Sequence, residues 1–173
     1  MFSGLKLFDL NGKTALITGY SQGIGYALAK GLADAGSDII LNGRNIEKLK
    51  KSAELLNTKQ KIFQLCFDVT DYKQTKQSIN EFERENKPID ILINNAGMQF
   101  RTPLEDFPPE KFELLLKTNV SSVFNVSQAV VKYMIKRGEG KIINIASVQT
   151  SLARPGIAPY TATKGAVGNI TKG

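Results

Sequence analysis

Tyr160 and Lys164 stand four residues apart in Tyr160-Thr161-Ala162-Thr163-Lys164, a spacing that puts a phenol and an ammonium on one face of a helix. A free phenol titrates near ~10, too high for a base at neutral pH, but a fixed cation beside it stabilises the phenolate and makes it a usable acid/base. A surface pair on a helix produces the same spacing. Thirteen residues upstream, Ser147 closes the run Asn144-Ile145-Ala146-Ser147, which reads as a strand leaving its sheet. The carboxyl edge of a parallel sheet is where open α/β folds bind ligands, and this gives the phenol a context.

A second chemical signal lies near the amino terminus, in Thr18-Gly19-Tyr20-Ser21-Gln22-Gly23-Ile24-Gly25. It follows a strand pattern and opens a helix pattern, the setting in which glycines serve a dinucleotide. Gly19 allows the tight turn, Gly23 lets the backbone approach a pyrophosphate, and Gly25 permits close packing. The helix start offers free N–H groups to the anion. A plain strand-to-helix connection has the same look when taken alone. After the second strand pattern comes Leu41-Asn42-Gly43-Arg44, with a guanidinium and no carboxylate for a ribose 2′-hydroxyl. This favours NADP, with NAD also admitted, although Arg44 also fits a solvated helix start.

The elements that must carry these residues alternate. Strand patterns at Lys13–Thr18, Asp38–Leu41, Lys61–Phe67, Asp90–Ile93 and Lys141–Ala146 are separated by helical ones at Gly23–Ala35, Asn45–Leu56, Asp71–Glu85 and Pro109–Arg137. The last is long enough for two helices, and another helix opens at Tyr160. Asp71 reads as an N-cap and Pro109 as a first-turn residue. The alternation predicts an α/β fold, a Rossmann-type doubly wound parallel sheet with helices on both faces, in one domain over residues 1–173. The chain ends on a helix with no strand after it, as expected of a fragment or a shortened product.

Composition narrows the chemistry. The 173 residues include 23 Lys+Arg against 16 Asp+Glu, a formal charge of +7. The basic residues are interspersed with acidic ones apart from Lys48, Lys50 and Lys51, so we expect no nucleic-acid partner and some bias toward anionic ligands. With no histidine, a serine–histidine triad and histidine metal sites are excluded, and no metal is expected. Cys66, the single cysteine, is expected to be a small buried hydrophobe. No signal-peptide core or run of ~18 apolar residues appears, which points to a cytoplasmic protein without a membrane partner. The Asn-x-Ser/Thr triplets at Asn119, Asn125 and Asn169 are read as accidental.

Thr18 to Gly25, Asn94-Asn95-Ala96-Gly97, Asn119, Ser147 and Tyr160-x-x-x-Lys164 occur in the order and spacing of the short-chain dehydrogenases/reductases, and the chain resembles that family over essentially its whole length. The resemblance implies Tyr160 as proton donor or acceptor, Ser147 as holder of the substrate oxygen, Lys164 as ribose ligand and tuner of Tyr160, and Asn119 as support for a water-linked proton path. Gly19, Ser21, Gln22, Gly23, Ile24 and Gly25 are expected to hold the cofactor with Arg44, and the resemblance further implies that Asp68 and Val69 contact its adenine and that Asn95, Ala96 and Gly97 line its cleft. A polar strand-end turn is the alternative for the asparagine segment. Family members continue beyond the Tyr/Lys helix, so the last strands of the family fold are expected to be missing; for the full-length family member the resemblance implies a homo-oligomer.

Within the family, Gly97-Met98-Gln99-Phe100-Arg101 and Ala146-Ser147-Val148-Gln149 are similar to the gluconate 5-dehydrogenases. That similarity implies a sugar-acid or keto substrate, with Arg101 and Arg154 as hypothetical carboxylate anchors and Gln149 as a hydroxyl partner. Surface positions are the alternative for each. A 3-oxoacyl-carrier reductase would use the same catalytic residues, and a non-catalytic cofactor-binding fragment is the reading from another class.

Overall fold

In the computed structural model, which describes residues 4–20 and 23–173, five parallel strands form one sheet in the order β3-β2-β1-β4-β5. The strands are β1 (Thr14–Ile17), β2 (Asp38–Gly43), β3 (Ile62–Cys66), β4 (Ile91–Asn94) and β5 (Lys141–Asn144). The chain steps outward from β1 through β2 to β3, then returns to the other side of β1 for β4. The loops after β1 and β4 therefore diverge and leave a crevice at the carboxyl edge of the sheet.

Alternation along the central strands builds a core on each face. Leu16, Ile40 and Leu92 point to one side, onto helices α3 (Tyr72–Glu85) and α5 (Ser122–Arg137) through Ile79, Phe82, Val126 and Val130. Ala15, Ile17, Ile39, Leu41 and Ile93 point to the other, onto α1 (Ile24–Asp34) and α2 (Ile46–Leu55) through Ala29, Ala33 and Leu49. Each fully buried Leu or Ile stabilises the fold by about 1.5–3 kcal/mol. The doubly wound sheet expected from the sequence is therefore present. The edge strands are less covered: side chains of β3 and β5 alternate between half-buried and exposed, unlike those of the three central strands.

That edge position corrects one expectation. Cys66 is exposed, because it ends β3 on the outer side of the sheet; the surrounding Ile62–Phe67 run looked like a buried strand, but burial in a strand requires neighbours on both faces. The predicted caps hold. Asp71 accepts from the Gln74 amide at 3.0 Å, and Pro109 occupies the first turn of α4 (Pro109–Leu116). The long Pro109–Arg137 pattern divides at a π-helical turn, Lys117–Ser121, between α4 and α5. Helix α6 (Ala158–Lys172) begins two residues before Tyr160 and packs on that turn and on α4. No helix of the described residues is long and apolar enough to cross a membrane.

Asp38 anchors the opposite end of the sheet. Burial of its carboxyl pushes the pKa up, but a 2.6 Å bond from Lys87, the Lys61 amide at 2.9 Å and the charges of both lysines outweigh burial and hold it below the usual carboxylate value. A carboxyl depressed by folding stabilises the fold above its unfolded value of ~3.9, and loses that contribution as pH falls through its folded value. Asp38→Asn is thus expected to lower Tm at neutral pH and to shrink the Tm difference between neutral pH and about pH 3. A difference of unchanged size would show that other carboxyls govern the acid limb.

Candidate active site

The glycine loop leaves β1 under tight constraint. Gly19 has φ 66°, and a Cβ there would lie 2.5 Å from the Ala96 Cα in the loop after β4. Only a residue without a side chain lets these two loops meet. Thr18 stitches them together: its hydroxyl accepts the amides of Asn95 and Ala96, both at 3.1 Å, while Asn95 Nδ2 donates to the Thr18 and Gly19 carbonyls at 3.0 and 3.3 Å. At Gly25 a Cβ would stand 2.9 Å from Asn95 Nδ2, so this glycine makes room for the loop after β4. Gly23, also at φ 66°, would meet no protein atom. Ser21 and Gln22 lie outside the described residues.

The crevice is a groove of about 820 Å³, whose walls include Gly19, Ile24, Gly25, Arg44, Asp68, Val69, Asn95, Ala96 and Gly97. The described residues expected to hold a cofactor thus come together along one wall, with Gly23 at the neighbouring helix start. Arg44 lies at the mouth with its side chain 80% exposed, 4.0 Å from Asp68 Oδ2; this distance in water makes a weak ion pair that leaves the guanidinium available. Asn42, at the end of β2, has a role that its residue type did not signal. Its side chain accepts from the Gly19 amide at 3.4 Å and donates to the Leu65 and Phe67 carbonyls at 3.0 and 3.1 Å, clipping the glycine loop to β2 and β3. Tyr20 is buried beneath the loop, where desolvation, then its neighbour Tyr26, pushes its pKa up to about 12 and keeps it a neutral packing group.

On the other side of β4, the Lys164 side chain is buried, and its ammonium donates to the Ile145 carbonyl at 2.6 Å, just beyond β5. Nζ lies 5.8 Å from the centre of the Tyr160 ring and 4.0 Å from where a Cβ on Gly97 would sit, so this cation is near both the phenol and the groove wall. Burial alone lowers the Lys164 pKa from the ordinary lysine value. Ser147 begins the turn Val148–Thr150, and its Oγ accepts from the Gln149 amide at 3.2 Å, which leaves the hydroxyl proton to be donated elsewhere. Thr150 couples this turn to the helix: its hydroxyl accepts from the Ser147 amide at 3.4 Å and donates to the Lys164 carbonyl at 3.2 Å. The contact is close because of Gly168, where a Cβ would lie 2.5 Å from the Thr150 methyl.

Asn119 is buried in the π-helical turn with its side chain engaged: Oδ1 accepts from the Met98 amide at 2.8 Å, and Nδ2 donates to the Met98 carbonyl at 2.9 Å and to Thr163 Oγ1 at 3.1 Å. Arg101 and Arg154 line a second cavity, of about 680 Å³, together with Thr102 and the 155–157 loop that leads into α6. Both arginines are exposed, with Arg101 donating to Gln99 Oε1 at 3.2 Å. Gln149 does not line that cavity; it accepts from the Thr161 hydroxyl at 3.4 Å, back toward the helix of Tyr160. Among the described residues no group of three or more His, Cys, Asp or Glu could hold a metal.

Comparison with known proteins accords with this arrangement. A gluconate 5-dehydrogenase of Gluconobacter oxydans (strain 621H) is 55% identical over 168 residues, covering 96% of this chain and 66% of its own length. A 5-keto-D-gluconate 5-reductase of Escherichia coli (strain K12) is 42% identical with the same coverage, so the chain spans just under two thirds of these relatives. Among solved structures, a gluconate 5-dehydrogenase from Burkholderia cenocepacia J2315 in complex with NADP and tartrate superposes with a TM-score of 0.94 at 50% identity, over 98% of this chain and 67% of that one. The family model described as short chain dehydrogenase matches residues 13–173, and with the crossed loops, the groove and the Tyr160–Lys164 helix in place, the chain belongs to the short chain dehydrogenase family.

Proposed function

We propose that this chain carries the cofactor-binding and proton-transfer machinery of an NADP(H)-dependent oxidoreductase that interconverts a carbonyl and a secondary alcohol on a sugar acid, with gluconate and 5-ketogluconate as the pair. The observation that carries the reading is the buried Lys164 ammonium, held by the Ile145 carbonyl near both the Tyr160 ring and the Gly97 wall of the groove. The groove's lining suits a dinucleotide: the Gly19 and Gly23 backbone is free of Cβ atoms at the helix start, Asp68 and Val69 would contact the adenine, and the exposed Arg44 guanidinium would take a 2′-phosphate. A relative with NADP bound and relatives named for gluconate and 5-keto-D-gluconate support the same assignment.

When bound, the reduced nicotinamide supplies the hydride that reaches the carbonyl carbon. The chain's residues manage the proton. Tyr160 donates its hydroxyl proton to the carbonyl oxygen in reduction and recovers it in oxidation, and the adjacent Lys164 charge stabilises the phenolate in between. Ser147, its proton uncommitted to the backbone turn, donates to the same oxygen, and Lys164 uses remaining N–H donors on the ribose. Arg101 and Arg154, lining one cavity, take the substrate carboxylate, and Gln149 serves a hydroxyl.

Steady-state NADPH oxidation with 5-ketogluconate against an acetoacetyl thioester tests this reading, the sugar acid being expected to give the higher kcat/KM; preference for the thioester would assign a 3-oxoacyl-carrier reductase instead. Arg101→Ala is expected to raise the KM for 5-ketogluconate by about 10- to 100-fold, the worth of a charged hydrogen bond, with the KM for NADPH unchanged. An unaltered KM for 5-ketogluconate would remove Arg101 from the site.

A further inference from the structure

The phenol lies in the first turn of α6, where a helix is least secure. Ile157, the N-cap, provides no side-chain hydrogen bond to the free amides of that turn, and Tyr160 is only its third residue. Something other than a cap must hold the turn. Thr163, one residue before Lys164, is fully buried, and its hydroxyl gives its one proton to the Tyr160 carbonyl at 2.7 Å. Thr163 Oγ1 in turn accepts from Asn119 Nδ2 at 3.1 Å, and Asn119 is itself locked to both backbone groups of Met98 in the loop after β4. A continuous chain of hydrogen bonds thus runs from the groove wall, through the π-helical turn, to the backbone of the residue that bears the phenol. The contact is between buried groups, so its loss would leave an amide hydrogen unpaired in the interior.

We propose that Thr163 is a positioning residue whose hydroxyl fixes the first turn of α6 against Asn119, and so sets where the Tyr160 phenol stands relative to the groove. This rests on the reading of Tyr160 as the proton donor. A β-branched side chain suits the task because its restricted χ1 aims the hydroxyl back at the preceding turn. Valine has the same shape and lacks the hydroxyl, serine keeps it, and Asn119 retains its two bonds to Met98 in either case.

The test compares Thr163→Val, Thr163→Ala and Thr163→Ser with the parent by steady-state kinetics and by hydrogen exchange of amides 158–164. Thr163→Val, or Thr163→Ala if the valine variant does not fold, is expected to lower kcat about 20-fold with both KM values within about twofold, as for a group displaced from its reacting position. Thr163→Ser is expected to stay within about threefold of the parent, and exchange over 158–164 to accelerate about tenfold in the valine variant with β1 unaffected. A kcat for Thr163→Val within about twofold of the parent, a serine variant as slow as valine, or unchanged exchange would overturn the proposal. If the parent turns over no carbonyl at all, the proposed function falls, and the exchange measurement alone decides whether the hydroxyl holds the turn.

Discussion

Tyr160→Phe is expected to reduce carbonyl-dependent NADPH oxidation by about 10³-fold while leaving the dissociation constant for NADPH within about twofold, because general acid catalysis of this kind contributes 10²–10⁴ in rate and the ring itself is retained. The half-buried ring lies 5.8 Å from the Lys164 ammonium, a contact phenylalanine preserves, so the substitution removes a proton and little else. Cofactor fluorescence titration and stopped-flow oxidation separate binding from chemistry. A variant that keeps a tenth or more of the parent's rate would move the proton transfer to another group and undo the proposed mechanism.

Gly19→Ala is expected to destabilise the fold by about 2–4 kcal/mol, lowering Tm by roughly 5–15 °C for a chain of this size, and to weaken NADPH binding by at least about tenfold. Two effects add at this position. The residue has φ 66°, which an L side chain tolerates poorly, and the new Cβ would be driven to 2.5 Å from the Ala96 Cα. That neighbour is backbone and cannot rotate away, so the loops after β1 and β4 must separate and the bonds from Thr18 and Asn95 must lengthen. Differential scanning calorimetry and a cofactor titration read the two consequences. A Tm unchanged within a degree or two would mean that the loops have slack that the geometry denies.

The layered sheet was legible because its signal is distributed: strands rich in Ile and Leu alternate with amphipathic helices, and Asp71 and Pro109 mark helix starts by their local chemistry. The groove was legible through glycines, whose spacing betrays backbone that must come close to something. Burial at the margins was not legible. Cys66 sits in a run as apolar as the central strands, and only the strand order reveals that β3 is an edge. The polar clips were equally hidden. Asn42 and Thr150 bond to backbone groups far along the chain and Thr163 to the side chain of Asn119, and a small polar side chain carries no mark of which distant group it will meet. Arg101 and Arg154 line one cavity, whereas Gln149 turns toward Thr161, a difference set by the turn that Ser147 begins.

Gly168 admits the Thr150 methyl so closely that the Ser147 turn and the Tyr160 helix form an interlocked pair. Substitution of Gly168 by a larger residue would therefore press on the Ser147 turn and the Tyr160 helix at once, although it touches neither hydroxyl.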